Sequence, residues 1–539
     1  MRETDPSINK QDSRSSFISK QTNIMFTKLA IAAAIASSQP ALIFGQENVV
    51  DTNSITQDVE NVIGDTCVKD FNANTDLFPI KWTSPDIKTF GDTDIFGAKF
   101  EPSVTTELLD ITYHNNYKII HNKFVNATYL LYQCGTEPPK EEVESGKHKL
   151  ILEVPHKGGL ALTSTVQIPA IELLGLRSEI KAYVGSTKWV SSPCINYMLE
   201  QGEIEKIDEA RDDVAHSESA SSVEDFLLRN PDGIILGGPY DDPDASRTMI
   251  IAGSQENTNV GQFDWIAFYA ALYNKEDMSN RIAGSAQQNF DCASENSFLL
   301  SSSPTERKLK ATSTRRVAEE EDKRPTLLWA SWFEGYGWSV AYCPNYQADT
   351  ECEWAAACNV HILSRPEGVG NAPESLGGRY WYLTDEEFFE FGKDADVWVY
   401  KSQHWDKVYA LKAEFLQQFK AYKNQQIYDT QGVSANSWYE QRLAEYYVVG
   451  MDVCAVMGVD GGTHRSRWLR NIFTEDVGVM PECNVAEIDE PYVAPVAECV
   501  PIAATLNVAS TDKDNAGAVS SAVQGLTLIA SLVLAASLL

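Results

Sequence analysis

The sequence predicts an α/β protein of two lobes with parallel-rich sheets, joined by one long helix, and three stretches carry that expectation. Over residues 161–236, strand and helix alternate with short connections, the pattern of a parallel sheet covered on its faces. Residues 262–288 hold apolar side chains at helical spacing, with no Gly or Pro before Gly284. A second alternating section opens at Thr326.

Taken in order, residues 1–45 read as a polar extension followed by a signal peptide. Residues 25–28 supply a short basic start, 29–36 an apolar run, and Gln46 a polar mature end. Residues 46–105 lack periodicity and form a lead-in. The first lobe, 106–260, begins with two alternating runs, 108–120 and 123–134, with turns at Asn115 and Asn116 and at His121 and Asn122. A strand over 149–155 runs into His156, Lys157, Gly158 and Gly159. Next, an apolar strand ends at Thr163 and Ser164, and a helix opens with Pro169 in its first turn and closes at Gly175. A strand over 180–185 follows, then an amphipathic helix through Val223, Phe226 and Leu227, a turn at 230–233 and an apolar strand at 234–236.

The helix over 262–288, about 40 Å long at 1.5 Å per residue, is the expected interlobe element of a 261–290 linker. Residues 300–324 are charged and free of aromatics, which reads as a flexible insertion. The second lobe, 325–482, carries a strand at 326–331, helical material near 354–357, a helix at 384–391, a strand at 397–400, a helix at 407–420 and a helical stretch at 438–456. Thr384 and Glu387 form a capping box, so the carboxylates there belong to helix initiation. Residues 483–516 read as a stalk and 517–539 as the tail of a glycolipid-anchor signal, with Asn515 as the attachment residue. The terminal apolar run, 526–539, is short for a membrane span.

With 44 Lys+Arg against 76 Asp+Glu, the chain has a formal charge of −32. Such a surface repels phosphate backbones, so no nucleic-acid partner is expected. Ten cysteines in a secretory chain predict disulfides, with pairing left open, and no C-x-x-C pair points to zinc. Asn126 heads a glycosylation sequon. No G-x-S-x-G, P-loop, G-x-G-x-x-G or H-E-x-x-H occurs, and no nucleophile–base arrangement is legible.

The order of pieces carries a resemblance: a hairpin ending at Cys134 and Gly135, the strand–loop–helix at 161–176, a strand ending near Trp189 to Pro193, the 230–232 turn, one long helix, and a second α/β lobe containing Asp394 to Val399 and Phe419 to Asn424. Over roughly 107–458 the chain resembles the periplasmic binding proteins for cobalamin, siderophores and haem, the class with a single long interlobe helix. In a secreted, glycolipid-anchored setting it also resembles the algal cobalamin acquisition proteins. The resemblance implies a non-catalytic cell-surface protein that captures cobalamin (vitamin B12) between two lobes for uptake, with no cofactor of its own and an unidentified receptor or transporter as partner. An Fe(III)-siderophore or haem is the alternative ligand. A surface metal-dependent hydrolase and a structural glycoprotein are the readings from other classes. The insertion, the cysteines and the anchor depart from bacterial members, which puts permease docking in doubt. The family's first docking glutamate falls on Glu172.

The resemblance places the pocket at the loops on the strand ends. In the first lobe these hold Lys157, Thr163, Ser164, Trp189, Ser191 and Tyr240; in the second, Trp332, Tyr336, Trp338, Arg379, Trp381, His404 and Trp405. A flat macrocycle has wide apolar faces and an amide-rich rim, which rings can cover and hydroxyls, amides and Arg can fix. The run from Trp332 to Trp338 sets three large rings among glycines directly after a strand; the competing reading is a loop packing its own rings. The acidic loop after Gly237 is read as a turn at the sheet edge rather than a cation site.

Overall fold

In the computed structural model, the strands of the first lobe divide into two sheets. Strands β1 (Leu109–Tyr113), β2 (Tyr117–Asn122), β3 (Ala127–Gln133) and β4 (Leu150–Val154) lie in the order 1-2-3-4; the first two pairings are antiparallel and β3–β4 is parallel. The second sheet contains β5 (Leu160–Leu162), β6 (Ile180–Val184), β7 (Glu205–Ile207), β8 (Ile234–Gly237) and β9 (Thr248–Ile250), in the order 7-6-5-8-9 and parallel throughout. Helices α1 (Ile168–Leu173), α2 (Pro193–Gln201) and α3 (Val223–Arg229) follow β5, β6 and β7. The model describes residues 67–68, 71, 77–78, 99–100, 102–103, 105–207, 222–301, 324–344, 350–373, 381–496 and 498–502, all within the compact unit 60–539.

The alternation along these strands explains the layering. Leu160, Leu162, Ile180, Ile234 and Leu236 enter the main core, while Ala161, Ala182, Val184 and Ile235 pack with Phe226 and Leu227 of α3. Ser222 and Asp225 cap α3 reciprocally. In α2, Pro193 takes the first position, the Ser192 hydroxyl accepts from Ile195 N, and Gly202 closes the helix with φ 77°.

The expected single helix over 262–288 is three. Helix α4 (Asn259–Asp264) and the wholly buried α5 (Ile266–Leu272) precede α6 (Glu276–Ser301), which has 26 residues. The break falls at Asn274, whose φ is 54°, a left-handed conformation that Asn tolerates and that no Gly or Pro announced. Gly284 lies inside α6 with nothing near its Cβ position, so it does not stop the helix. The start of α6 is fixed on the first sheet: Lys118 Nζ pairs with Glu276 and donates to Asn274 Oδ1 at 2.9 Å. Its far half carries Phe290 and Cys292, which meet the second lobe and the C-terminal segment.

The second lobe contains β10 (Thr326–Phe333), β11 (Gly337–Val340), β12 (His361–Ile362), β13 (Val397–Tyr400), β14 (Ile427–Asp429) and β15 (Arg470–Asn471). Their order is 11-10-13-14-15, with β12 beside β10. Helices α7 (Thr350–Ala357), α8 (Asp385–Gly392), α9 (Trp405–Leu416) and α10 (Tyr446–Val456) cover it. The helix predicted over 438–456 begins only at Tyr446; residues 437–444 form two 3₁₀ turns with Glu440 at their junction (φ −120°, ψ −83°). Asp396 tethers the edges of β10 and β13 by accepting from Thr326 N at 2.8 Å. One buried core runs from Leu109 through Leu236 and Phe268 to Trp329, Val449 and Trp468, so the lobes share an interior.

The segment read as a stalk packs on this body over its described part. Cys483 is joined to Cys194 of α2 and Cys499 to Cys292 of α6. Between them Arg177 donates to the carbonyls of Ile488 (2.8 Å) and Glu490 (3.0 Å), and Tyr492 N donates to Glu172 O at 2.8 Å. The remaining disulfides are Cys67–Cys134, Cys343–Cys352 and Cys358–Cys454. No helix among the described residues is long and apolar enough to cross a membrane. The signal and anchor regions, with Asn515, and residues 302–323 of the insertion lie outside the described residues; residues 300 and 301 end α6.

Candidate functional site

In an open parallel sheet, a crevice forms beyond the carboxyl ends of the strands where the strand order reverses. In the first lobe that point lies between β5 and β8. The Thr163 hydroxyl donates to Asp241 Oδ2 at 2.7 Å and accepts from Gly238 N at 3.1 Å, binding the two strand-end loops together. Gln167, fully buried, donates to Leu236 O at 2.8 Å and holds the start of α1 to the same point. Ser164 is half-buried on this edge. Tyr240 is 77% exposed there, with Gln255 Nε2 3.4 Å from its hydroxyl. Trp189 follows β6, 52% exposed, with Lys188 Nζ 4.8 Å from its ring centre.

The second lobe meets this edge through residues 437–444. Glu440 accepts from Ser191 N (3.0 Å) and Ser192 N (2.8 Å). Gln441 Nε2 donates to Glu172 Oε2 (2.8 Å) and to Glu440 Oε1 (3.0 Å). Glu172 also accepts from Arg177 Nε (2.8 Å) and the Ser192 hydroxyl (2.6 Å). The glutamate expected to face a permease is therefore buried at the seam between lobes. Beside it, Tyr439 is 56% exposed and its hydroxyl lies 3.5 Å from Lys401 O, on the loop after β13. Arg442 lies 5.0 Å from the Trp438 ring and 5.6 Å from the Trp354 ring. Burial lowers its pKa to about 10, against the opposing pull of Glu351.

Several predicted site residues lie elsewhere. Lys157 is at the amino end of β5, the opposite edge: a Cβ on Gly158 would stand 2.0 Å from the Asp232 carbonyl, in the turn that enters β8. Ser191 spends its amide on Glu440. Trp338 is fully buried, stacked on Phe388 at 4.0 Å, with its indole N–H on Asp385 Oδ1 at 2.8 Å. Trp332 shares that layer under Lys412, while Tyr336 stacks on Tyr382 and stays 43% exposed, so the hairpin packs its two tryptophans against the second lobe and leaves Tyr336 at the surface. Trp405 is buried between Trp398 and Tyr400. Trp381 stacks on Arg365, which also covers Tyr342. Thus Thr163, Ser164, Trp189 and Tyr240 gather on the first lobe's edge, and His404 stays exposed after β13. Arg379 lies outside the described residues.

One cavity at the seam is small: about 60 Å³, lined by Val166, Pro169, Ser254, Asn259, Arg442 and Tyr446. That holds a few waters. A cavity of about 380 Å³ lies under the C-terminal segment against Glu172, Ser192, Gln441 and Arg467, and one of about 770 Å³ lies among Asn296, Met451, His464 and Val496. Among the described residues, Cys67, Cys134 and Glu153 approach as a metal-like trio, but their sulfurs are joined in a disulfide.

No family model and no curated relative matches the chain. Among solved structures it is similar to a periplasmic binding protein from Veillonella parvula (9% identity, 56% of this chain and 90% of that one, TM-score 0.38). It is also similar to a periplasmic haem binding protein from Pseudomonas aeruginosa (9%, 59% and 99%, 0.38) and to the periplasmic vitamin B12 binding protein of Vibrio cholerae (11%, 56% and 98%, 0.33). The α/β architecture follows from the strand pairings above.

Proposed function

We propose that this chain is a non-catalytic binding protein that holds a large metal chelate, cobalamin first, across the seam between its lobes. The observation that carries the reading is the convergence of strand-end loops from both lobes on one seam, with Trp189 and Tyr439 exposed beside it and Tyr240 exposed on the same edge of the first lobe. Rings left in water beside amide and hydroxyl groups suit a ligand with apolar faces and a polar rim. Neither the cavity of about 60 Å³ nor the one of about 380 Å³ beside Glu172, Ser192 and Gln441 encloses a macrocyclic chelate, so the ligand rests on the rim of the seam or separates the lobes slightly as it enters. Five disulfides fit an oxidising compartment, in keeping with export to the outer cell surface, an anchored C-terminus and hand-off to a receptor.

One observation favours an anionic chelate, a ferric siderophore or haem, as the second reading: Lys188, Lys401 and Arg442 all border the seam. Titrating the secreted ectodomain with cyanocobalamin, ferrichrome and haemin separates the two. Cobalamin binding quenched by Trp189→Ala supports the first reading. No cobalamin binding at micromolar concentration removes it, and haemin or ferrichrome binding in its place establishes the second.

A further inference from the structure

Among the described residues, Glu440 is a buried carboxylate of the seam with no cation at contact distance in the hydrogen-bond and ion-pair pattern around it. Its carboxylate is almost fully buried and takes two amides of the first lobe, Ser191 N at 3.0 Å and Ser192 N at 2.8 Å, across the lobe boundary. Its third donor, Gln441 Nε2, is shared with a second buried carboxylate, Glu172. Only Glu172 has a cation, Arg177. The buried Oε1 of Gln441 meets no donor.

The charged groups around Glu440 come from every element packed on it. Helix α1 brings Glu172, with Arg177 just beyond it; the loop after β6 brings Lys188. Its own segment brings Arg442 and Glu445, the latter paired with Arg467 at 2.7 Å, and the β13 loop brings Lys401, paired with Glu351 at 3.7 Å. The amino end of α2 favours the ionised form through its N–H groups. Burial opposes it more strongly, since a carboxylate removed from water without a cation is costly.

We propose that docking of the two lobes is proton-linked at Glu440: the carboxyl group takes up a proton as it is buried against Ser191 and Ser192, so the seam tightens as pH falls. The sign follows from the environment. Burial pushes the Glu440 pKa up to about 7, with the Ser191, Gln441 and Ser192 hydrogen bonds pulling the other way. A group whose pKa is raised in the docked state favours docking below that value and withdraws the support as pH rises from the solvated carboxyl range to about 7. The inference rests on the seam itself and holds whichever ligand, if any, binds there.

The test is hydrogen exchange of the Ser191 and Ser192 amides in the full chain at pH 5.5 and 8, corrected for intrinsic rates, with Glu440→Gln alongside. Protection in the unmodified chain is expected to be greater at pH 5.5 by tens of fold, on the order of what one linked proton gives over that interval. Glu440→Gln, a permanent stand-in for the neutral acid, is expected to be equally protected at both. Equal protection at both pH values in the unmodified chain, or an unchanged pH dependence in the variant, overturns the proposal. Should the variant not fold, carbon-13 titration of the glutamate carboxyls in the unmodified chain decides it: no glutamate titrating near neutrality overturns it. Because no ligand is added, failure here leaves the chelate titration untouched.

Discussion

A buried ion pair sets the position of α6. Lys118 and Glu276 are both removed from water, with Asn274 Oδ1 completing the ammonium's partners and Asn274 Nδ2 donating to Gln133 Oε1 at 2.7 Å. Removing one partner leaves the other charge uncompensated, so Lys118→Met is expected to lose about 3–5 kcal/mol of stability in denaturant unfolding, whereas Lys118→Met with Glu276→Leu recovers most of it. The tryptophans divide in the same way between structure and surface. Trp338→Ala removes a ring stacked in the core and is expected to cost about 3–5 kcal/mol; Trp189→Ala and Tyr240→Ala leave the thermal midpoint nearly unchanged and reduce chelate affinity. A Tm lowered equally by Trp189→Ala would place that ring in the core. Residue type told the sequence reader that rings could line a site. It did not tell which face of β10 they occupy, and alternation there sends Trp332 and Trp338 to the α8–α9 layer. Of the proposed contacts, those legible in advance were the ones fixed by strand ends, Thr163, Ser164, Trp189 and Tyr240. Glu440, Gln441 and Arg442 were hidden inside an expected helix.

At the scale of elements, the steps through β5, α1, β6, α3 and β8 were legible, helped by Pro169 and Gly175, whereas α2, β7 and β9 were not read although Pro193 and Gly202 bound α2. The break at Asn274 was not legible, since the apolar spacing continues across α5 into α6. The C-terminal segment was misread for another reason. In residues 483–502, Ile488, Tyr492, Ala494 and Val496 pack on the core while Val485, Val493 and Val500 face solvent, so the apolar residues follow no helical or strand period that would announce packing. Two disulfides, the Arg177 contacts and the Tyr492 hydroxyl shared between Glu445 and Arg467 add covalent and polar ties to that packing. Replacing Cys194 and Cys483 together by Ala is therefore expected to lower stability by about 2–4 kcal/mol. Limited proteolysis should then cut first within 484–496. Resistance equal to the parent's would show that the polar contacts hold the segment without the bond.

For the whole molecule, the shared interior decides how far the lobes can move. Binding proteins that close by rigid-body hinging need separate cores and a hinge that absorbs the rotation. Here one core passes from the first sheet through α5 to Trp329 and Trp468, Gly450 gives Phe290 of α6 room for close contact with α10, and the C-terminal segment is bonded to α2 in one lobe and to α6. A wide opening would expose buried apolar surface at roughly 25 cal/mol per Å², a cost that a few contacts to a ligand do not offset. Motion at the seam is then a matter of the Glu440 contacts and the exposed loops around them. The radius of gyration from small-angle scattering is expected to stay the same, within error, with and without a saturating chelate, and at pH 5.5 and 8. In the Cys194→Ala, Cys483→Ala chain, with the segment released at one end, the two states should begin to differ. A clear contraction of the unmodified chain on binding would mean that the lobes hinge despite the common core, and would move the ligand from the rim into the space between them.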